Sequence, residues 1–263
     1  MIDFLNIVCY KWGPLYSVDY VNKLASSVSR NLKIPHKFFC LTDDSHGLSR
    51  GIATAPIPRT AMFGNAPKLY TFSQGFLGLK PDEYVVSLDL DNVIVGDLSF
   101  LGEDEDKDFV IAKHRIDKVG TKVHGAVYRL RVSSHSHVWD NLMSSTEKFS
   151  ESFSGWNGNR FSEQKWLDHC FRDKRLDFFP ENKVVIFRSD CEAKAFTYFL
   201  GEKIGKFGLT SAFWGRARLP NIGEAIVSFA GKTKPADVAK RHHIHLKQAP
   251  FVLEHWRDDN LVD

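Results

Sequence analysis

The sequence predicts an α/β domain built on a mostly parallel sheet with helices packed against it. Three observations carry that expectation. The chain opens strand, helix, strand with short connections, the start of a right-handed parallel unit. A β-branched apolar run, Tyr84 to Leu88, ends on two carboxylates, Asp89 and Asp91. A late apolar run, Ala225 to Phe229, opens into the turn Ala230-Gly231-Lys232-Thr233-Lys234-Pro235. Open α/β sheets hold their ligands beyond the carboxyl ends of strands, so the second feature marks a candidate site.

Residues 2–10 read as the first strand, broken by Lys11-Trp12-Gly13-Pro14. Val18, Val21, Leu24, Ala25, Val28 and Leu32 recur at helical spacing and predict a helix over about 17–32. Pro35 closes it, and His36–Thr42 forms a second strand leading into Asp43-Asp44. Residues 45–65, with three Gly and two Pro, read as a surface loop. Pro67–Phe76 predicts a short helix with Leu69, Phe72 and Phe76 inward and Lys68 near its start. Tyr84–Leu88 follows the break at Lys80-Pro81-Asp82, and Val93–Val95 is a second apolar run. Residues 102–108 are an acidic, solvated turn, and Phe109–Ala112 and Ala126–Leu130 are further strands. Ser133 or Ser134 caps a helix reaching about Lys148. Residues 149–161 form a polar, aromatic loop, and a short helix starts from Ser162. Val184–Phe187 is a strand, 188–224 are irregular, and Ala225–Phe229 is the last strand. No repeat, low-complexity tract or linker divides the chain, which predicts a single domain.

The totals narrow the class. A chain of 263 residues with 43% hydrophobic and 25% charged content buries a substantial core, as soluble globular proteins do. Aromatic content of 13% suits stacking or sugar-facing surfaces and equally suits a core. The net charge of +3, with no dense Lys/Arg cluster, argues against nucleic acid as a partner. Cys9, Cys40, Cys170 and Cys191 lack CxxC spacing, and Cys9 and Cys40 read as buried, reduced thiols. No leader-like N-terminus and no run near 18 apolar residues is present, so the expectation is a cytoplasmic protein with no transmembrane segment.

Asp89 and Asp91 carry the chemistry. On an extended backbone alternate side chains point the same way, so the pair faces one site while Leu90 points into the core. Two such carboxylates repel, and a divalent cation or a shared proton relieves the repulsion. Hard oxygen ligands suit Mg²⁺ or Mn²⁺, whose other positions go to water and substrate phosphates. Nucleotide-sugar transfer and aspartyl-phosphate hydrolysis both use such a pair, the second with Asp89 as nucleophile.

The surrounding order favours the first. CYKWG and LTDD at the ends of the first strands, FGNAPKLY before VVSLDLDNVIVGDL, SEQKWLD, and SFAGKTKP together resemble GT-A fold glycosyltransferases, in particular those similar to glycosyltransferase family 8. The resemblance runs from the first strand to about Pro235. It implies a single GT-A-like, Rossmann-related domain with a mixed, mostly parallel sheet flanked by helices. Within it, 1–100 would be the nucleotide-binding half, 101–235 the donor-sugar and acceptor half, and 236–263 a tail. It implies a nucleotide-sugar donor, commonly a UDP-sugar, and a glycan or other hydroxyl acceptor. Tyr10, Lys11 and Asp43 would lie near base and ribose, and Lys68 near the diphosphate or donor sugar. Asp89 and Asp91 would hold Mn²⁺ or Mg²⁺, with Asp91 serving the chemistry as well. Gly231, Lys232 and Lys234 would meet the diphosphate, Glu163 the sugar hydroxyls, and Gln164 the anomeric centre. The family commonly transfers with retention of configuration. One departure is Ala230, where family members place a metal-binding His. His114, His124 and the cluster His242, His243 and His245 are possible substitutes. Trp156 is a candidate for sugar stacking, and Trp166, at helical spacing, reads as core.

Two alternatives stand beside this reading. A phosphohydrolase of the aspartyl-phosphate type would use Ser228, Lys232 or Lys234, and Asp258-Asp259 as further motifs. Its DxD, however, follows the first strand of the core, whereas here a complete βαβ unit precedes it. A nucleotide-sugar-binding protein that has lost turnover is the second, motivated by Ala230.

Overall fold

The computed structural model describes residues 1–114, 122–146, 151–154, 161–194, 215–243 and 245–259. The chain divides into two compact units. The first comprises Met1–Asn22, Leu32–Leu90 and Ser99–Glu181; the second comprises Lys23–Asn31, Asp91–Leu98 and Asn182–Asp263. These units cut across the stretches 1–100, 101–235 and 236–263 expected from the resemblance.

The first unit is organised on a seven-stranded sheet. Its strands are β1 (Leu5–Lys11), β2 (His36–Thr42), β3 (Ala53–Ala55), β4 (Tyr84–Leu88), β6 (Phe109–Lys113), β7 (Val123–Arg131) and β8 (Asp177–Phe178), in the order β3-β2-β1-β4-β7-β6-β8. β1 pairs in parallel with β2 and β4, β2 with β3, and β6 with β8, while β7 runs antiparallel to β4 and β6. The sheet is therefore mixed and mostly parallel, as expected. Every residue of β1 and β4 is buried, which is why both read as continuous apolar runs and not as alternating ones. Cys9 and Cys40 face each other in register as free, buried thiols.

The order β2-β1-β4 fixes where ligands can bind. The chain moves from β1 to β2 on one side, then returns to place β4 on the other. That reversal is a topological switch point, and the crevice outside the carboxyl ends of β1 and β4 is the default ligand position. Lys11 ends β1, Asp43 follows β2, and Asp89 follows β4.

Two strands of this sheet went unread in the sequence. β3 and β8 have three and two residues, too short for a periodic signal, and exist through pairing at the sheet edges. Two helices are corrected. Residues Ala66–Phe72 form a tight 3₁₀ helix, not an α-helix reaching Phe76, although Leu69, Phe72 and Phe76 do point inward. The helix expected from Ser133 or Ser134 begins later, as α2 (His137–Ser144), because Ser133 sits at φ 64° and turns the chain. By contrast, α1 (Val18–Asn31) and α3 (Glu163–Cys170) match their readings, and the Ser162 hydroxyl caps α3 by accepting from the Lys165 N–H at 3.4 Å.

Gly64 shows how the Ala66–Phe72 helix is seated. It adopts φ 50°, and a Cβ there would lie 2.7 Å from the Phe161 carbonyl oxygen and 2.8 Å from the Phe161 nitrogen. Backbone leaves no room to yield, so Gly64→Ala is expected to cost about 2–4 kcal/mol in urea unfolding, from overpacking plus left-handed strain. A change below about 0.5 kcal/mol would show that Phe161 does not press on this turn.

The second unit carries a three-stranded sheet, β5 (Asn92–Ile94), β9 (Val184–Ile186) and β10 (Ile226–Ser228), in the order β5-β10-β9. The Lys23–Asn31 part of α1, with α4 (Phe187–Asp190), α5 (Pro235–Ala239) and α6 (Phe251–His255), completes its regular elements among the described residues. α4, at the start of the stretch expected to be irregular, α5 and α6 went unread in the sequence. Phe187 and Phe229 stack at 4.4 Å in its core.

Candidate functional site

The first unit places a buried ion cluster at the carboxyl end of β4. The Lys68 ammonium lies 2.6 Å from Asp89 Oδ1, 2.9 Å from Glu163 Oε1 and 3.0 Å from the Gly125 carbonyl oxygen. Three donors thus meet three oxygens, and the lysine side chain is 7% exposed, Glu163 4% and Asp89 28%. Burial by itself lowers the Lys68 pKa, but Asp89 and Glu163 outweigh it, and the net shift is upward. Lys68 is charged throughout the physiological range.

Hydroxyls anchor the short helix that presents Lys68. Thr71 donates to the Lys68 carbonyl at 2.9 Å, and Tyr128 donates to the same oxygen at 2.8 Å. With its proton so used, Thr71 accepts from Tyr10 at 2.5 Å. Tyr10 is buried among Val8, Phe39 and Leu41. Its place is in the core under the helix. Lys11 is buried beside it, and Asp43 is exposed, accepting from the Gly13 N–H at 3.0 Å across the ends of β1 and β2.

Gly125 explains how α3 reaches the cluster. A Cβ there would stand 2.9 Å from Glu163 Oε1 and 3.2 Å from Gln164 Cγ. The missing side chain lets the first turn of α3 press onto β7, and Gln164 lies half-buried beside it. The strand itself is irregular here. Ile111 pairs with Tyr128 but Ala112 with His124, so residues 125–127 bulge, and the Asp89 N–H bonds the Ala126 carbonyl at 3.0 Å. An isolated Gly inside a strand pattern is the sequence signal for such an approach, and Gly125 went unmarked.

His124 precedes that bulge. Its ring is fully buried, 5.4 Å from the His114 ring, and among the described residues neither nitrogen has a hydrogen-bond partner. Burial first, then His114 and Lys68, push its pKa down to about 3. A histidine neutral when folded and protonatable when unfolded stabilises fully above about pH 6.5, and that contribution falls as pH drops toward 3. From pH 7.5 to 5, wild type is expected to lose about 2 kcal/mol more than His124→Asn, measured by urea unfolding at each pH. Parallel curves would place His124 in contact with water.

In the second unit, Asp91 pairs with Lys234 at 2.6 Å, with side chains 9% and 19% exposed. The Lys234 N–H donates to Asp237 at 2.8 Å, which ties the lysine to the start of α5. Ala230, Gly231 and Lys232 are exposed, and Gly231, at φ 91°, has open space where a Cβ would stand. His242 accepts from the Gln248 N–H at 3.2 Å, a turn contact. Ser228 is buried in β10, and Asp259 pairs with Arg30 at 2.6 Å. Trp166 is core, donating to the Val138 carbonyl at 3.1 Å; Trp156 lies outside the described residues.

Among the described residues no group of three or more His, Cys, Asp or Glu gathers as a metal cage. Asp89 and Asp91 each offer hard carboxylate oxygens, the donor type of which Mg²⁺ and Mn²⁺ take one or two before completing their shell with water and phosphate.

No protein-family model matches the sequence, and no curated protein matches it either. Solved structures do. The glycosyltransferase GlyE of Streptococcus pneumoniae TIGR4 matches with a TM-score of 0.52 at 14% identity, over 87% of this chain and 56% of GlyE. An active-site mutant of LgtC matches with 0.53 at 13% identity, over 88% of this chain and 89% of LgtC. The bifunctional glycosyltransferase WbbM matches with 0.54 at 12% identity, over 90% of this chain and 48% of WbbM. This chain thus spans about half the length of GlyE and of WbbM. It has the GT-A-like fold of these glycosyltransferases. No described helix is long and apolar enough to cross a membrane.

Proposed function

We propose that the chain is a glycosyltransferase that moves a sugar from a UDP-sugar to a hydroxyl acceptor, using Mn²⁺ or Mg²⁺. The observation that carries this reading is the buried Lys68–Asp89–Glu163 cluster at the switch point of a GT-A-like sheet. A preorganised cluster of charge at that edge is what a leaving nucleoside diphosphate and a developing sugar cation demand. Asp89 and Asp91 would hold the ion, which when bound supplies positive charge against the donor's two phosphates.

The remaining roles belong to this chain's own groups. Lys68 orients Asp89 and Glu163 in fixed geometry, so neither carboxylate reorganises as charge moves. Glu163 accepts from donor-sugar hydroxyls, and Gln164, one residue along, meets the anomeric centre. Lys11 and Asp43 lie toward base and ribose. The open Gly231 turn, with Lys232 and Lys234, approaches the diphosphate, where backbone without a side chain leaves room for phosphate oxygens. Ala230 cannot ligate, so Asp89 and Asp91 would hold the ion with a water or another side chain completing its shell. Transfer proceeds with retention, in line with the resemblance.

Calorimetric titration of UDP with Mn²⁺, with Mg²⁺ and with EDTA tests the reading. Metal-dependent UDP binding followed by donor hydrolysis in a UDP-sugar screen is the expected result. No UDP binding under any condition overturns the UDP-sugar assignment, and binding without turnover of any donor identifies the degenerate alternative.

A further inference from the structure

The first unit holds a cavity of about 490 Å³, within the roughly 300–1,000 Å³ typical of small-molecule sites, and no residue of the Lys68 cluster lines it. β4 and β6 both run antiparallel to β7, and Val85 and Phe109 both pair with Leu130. Phe109, on the cavity floor, therefore lies level with Val85, four residues before Asp89. At about 3.3 Å per residue, the floor is about 13 Å along the sheet from that carboxylate, toward the amino ends of β4 and β6. The switch point at the carboxyl ends does not account for a pocket there. Its lining is graded. Phe109 and Phe171 are buried and stacked at 4.9 Å, and the His135 ring stands edge-on to them at 5.8 and 5.2 Å. Around this floor Lys107, His135 and Asp177 are half-buried, and a rim of Asp106, Asp108, Lys174 and Arg175 is exposed.

Three carboxylates and three cations line this cavity, so it exerts no net pull on an ion of either sign. Some of these groups are already engaged. Lys107 pairs with Asp104 at 2.7 Å, Asp108 with Arg131 at 2.9 Å, and Lys174 meets His137 at 3.3 Å. The side chains of Asp106 and Arg175 and the ring nitrogens of His135 make no hydrogen bond or salt bridge among the described residues. An ionised carboxylate only accepts, a guanidinium only donates, and a neutral imidazole does one of each. Burial first, then the neighbouring His137, push the His135 pKa down, so its ring is neutral at pH 7. An anion entering here would meet the aspartates, and a cation the lysines and Arg175, which penalises both. Donors and acceptors around an apolar floor match an uncharged molecule with many hydroxyls and with C–H faces between them. We propose that this cavity binds a neutral oligosaccharide, as a second carbohydrate site apart from the Lys68–Asp89–Glu163 cluster. The inference goes beyond the transferase reading and holds whatever the sugar donor is.

The test exposes the full chain, in EDTA and without donor, to an array of neutral and charged oligosaccharides. It compares wild type with a double variant, Asp106→Ala together with Arg175→Ala. Both side chains are exposed, so the variant should fold as wild type does, which urea unfolding checks. Wild type is expected to retain neutral glycans, and the calorimetric affinity for the best of them should fall at least about tenfold in the variant. In wild type, the imidazole nitrogen resonances of His135 should move on adding that glycan and not on adding UDP, a readout that needs no variant. A retained glycan that the enzyme also extends is its acceptor, held far from the point of transfer, and one left unmodified is a separate anchor; both support the site. A glycan bound equally by the two proteins, with His135 resonances unmoved, sits elsewhere and overturns the proposal. Retention of charged glycans alone, or of none, overturns it as well. A wild type that retains neutral glycans in this way but binds no UDP overturns the UDP-sugar reading and leaves this one standing.

Discussion

Lys68→Met is expected to destabilise the protein by about 3–5 kcal/mol, the cost of leaving buried charge without its partner. The lysine ammonium lies between Asp89 at 2.6 Å and Glu163 at 2.9 Å, and Glu163 is 4% exposed. Removing the ammonium leaves two carboxylates without their shared cation in a medium that screens them poorly. One must then take up a proton, shift into solvent or unfold its surroundings. Lys68→Met combined with Glu163→Gln should recover at least half of the loss, because only the better-solvated Asp89 then remains charged. Urea unfolding of the four proteins in this cycle gives the coupling directly. A single-variant loss below about 1 kcal/mol would mean the cluster is open to water in solution, as surface pairs are.

Asp89→Asn and Asp91→Asn are each expected to lower UDP-sugar turnover by a factor on the order of 10²–10³, the scale of losing one preorganised electrostatic group. The two differ in what else they disturb. Asp89→Asn removes one of the two carboxylates on Lys68 but leaves Glu163, so a moderate stability loss accompanies the activity loss. Asp91→Asn removes the ion pair with Lys234, whose side chains are 9% and 19% exposed, so a moderate stability loss is expected there too, while the Lys234 backbone keeps its bond to Asp237. Metal-dependent UDP affinity, measured by calorimetry, should fall in both. A variant that keeps both its activity and its metal-dependent UDP binding removes that aspartate from the metal assignment.

Local pattern carried much of the fold. β1, β2, β4, α1 and α3 were legible because burial on both faces writes a continuous apolar run, and amphipathic packing writes a 3.6-residue period. The Ser162 cap was legible because its mechanism acts within three residues. What failed was short or conformationally special. β3 and β8 exist only through their neighbours, and a positive φ at Ser133 postponed α2 in a way no periodicity announces.

The candidate site divides along the same line. Asp89 and Asp91 stand two residues apart after an apolar strand, and that spacing was readable without any fold. By itself the sequence determined the α/β class, the position of the carboxylates at a strand end, and the Gly-Lys turn after the last strand. Tertiary structure alone decided that Lys68 and Glu163, 95 residues apart, share a proton-rich, water-poor contact. It also turned Tyr10 into a core strut and made Gly125 the gap through which α3 reaches the cluster. The physical reason is range. Periodicity and capping act over a few residues of one chain, whereas burial and the strength of an ion pair depend on what the rest of the fold brings alongside.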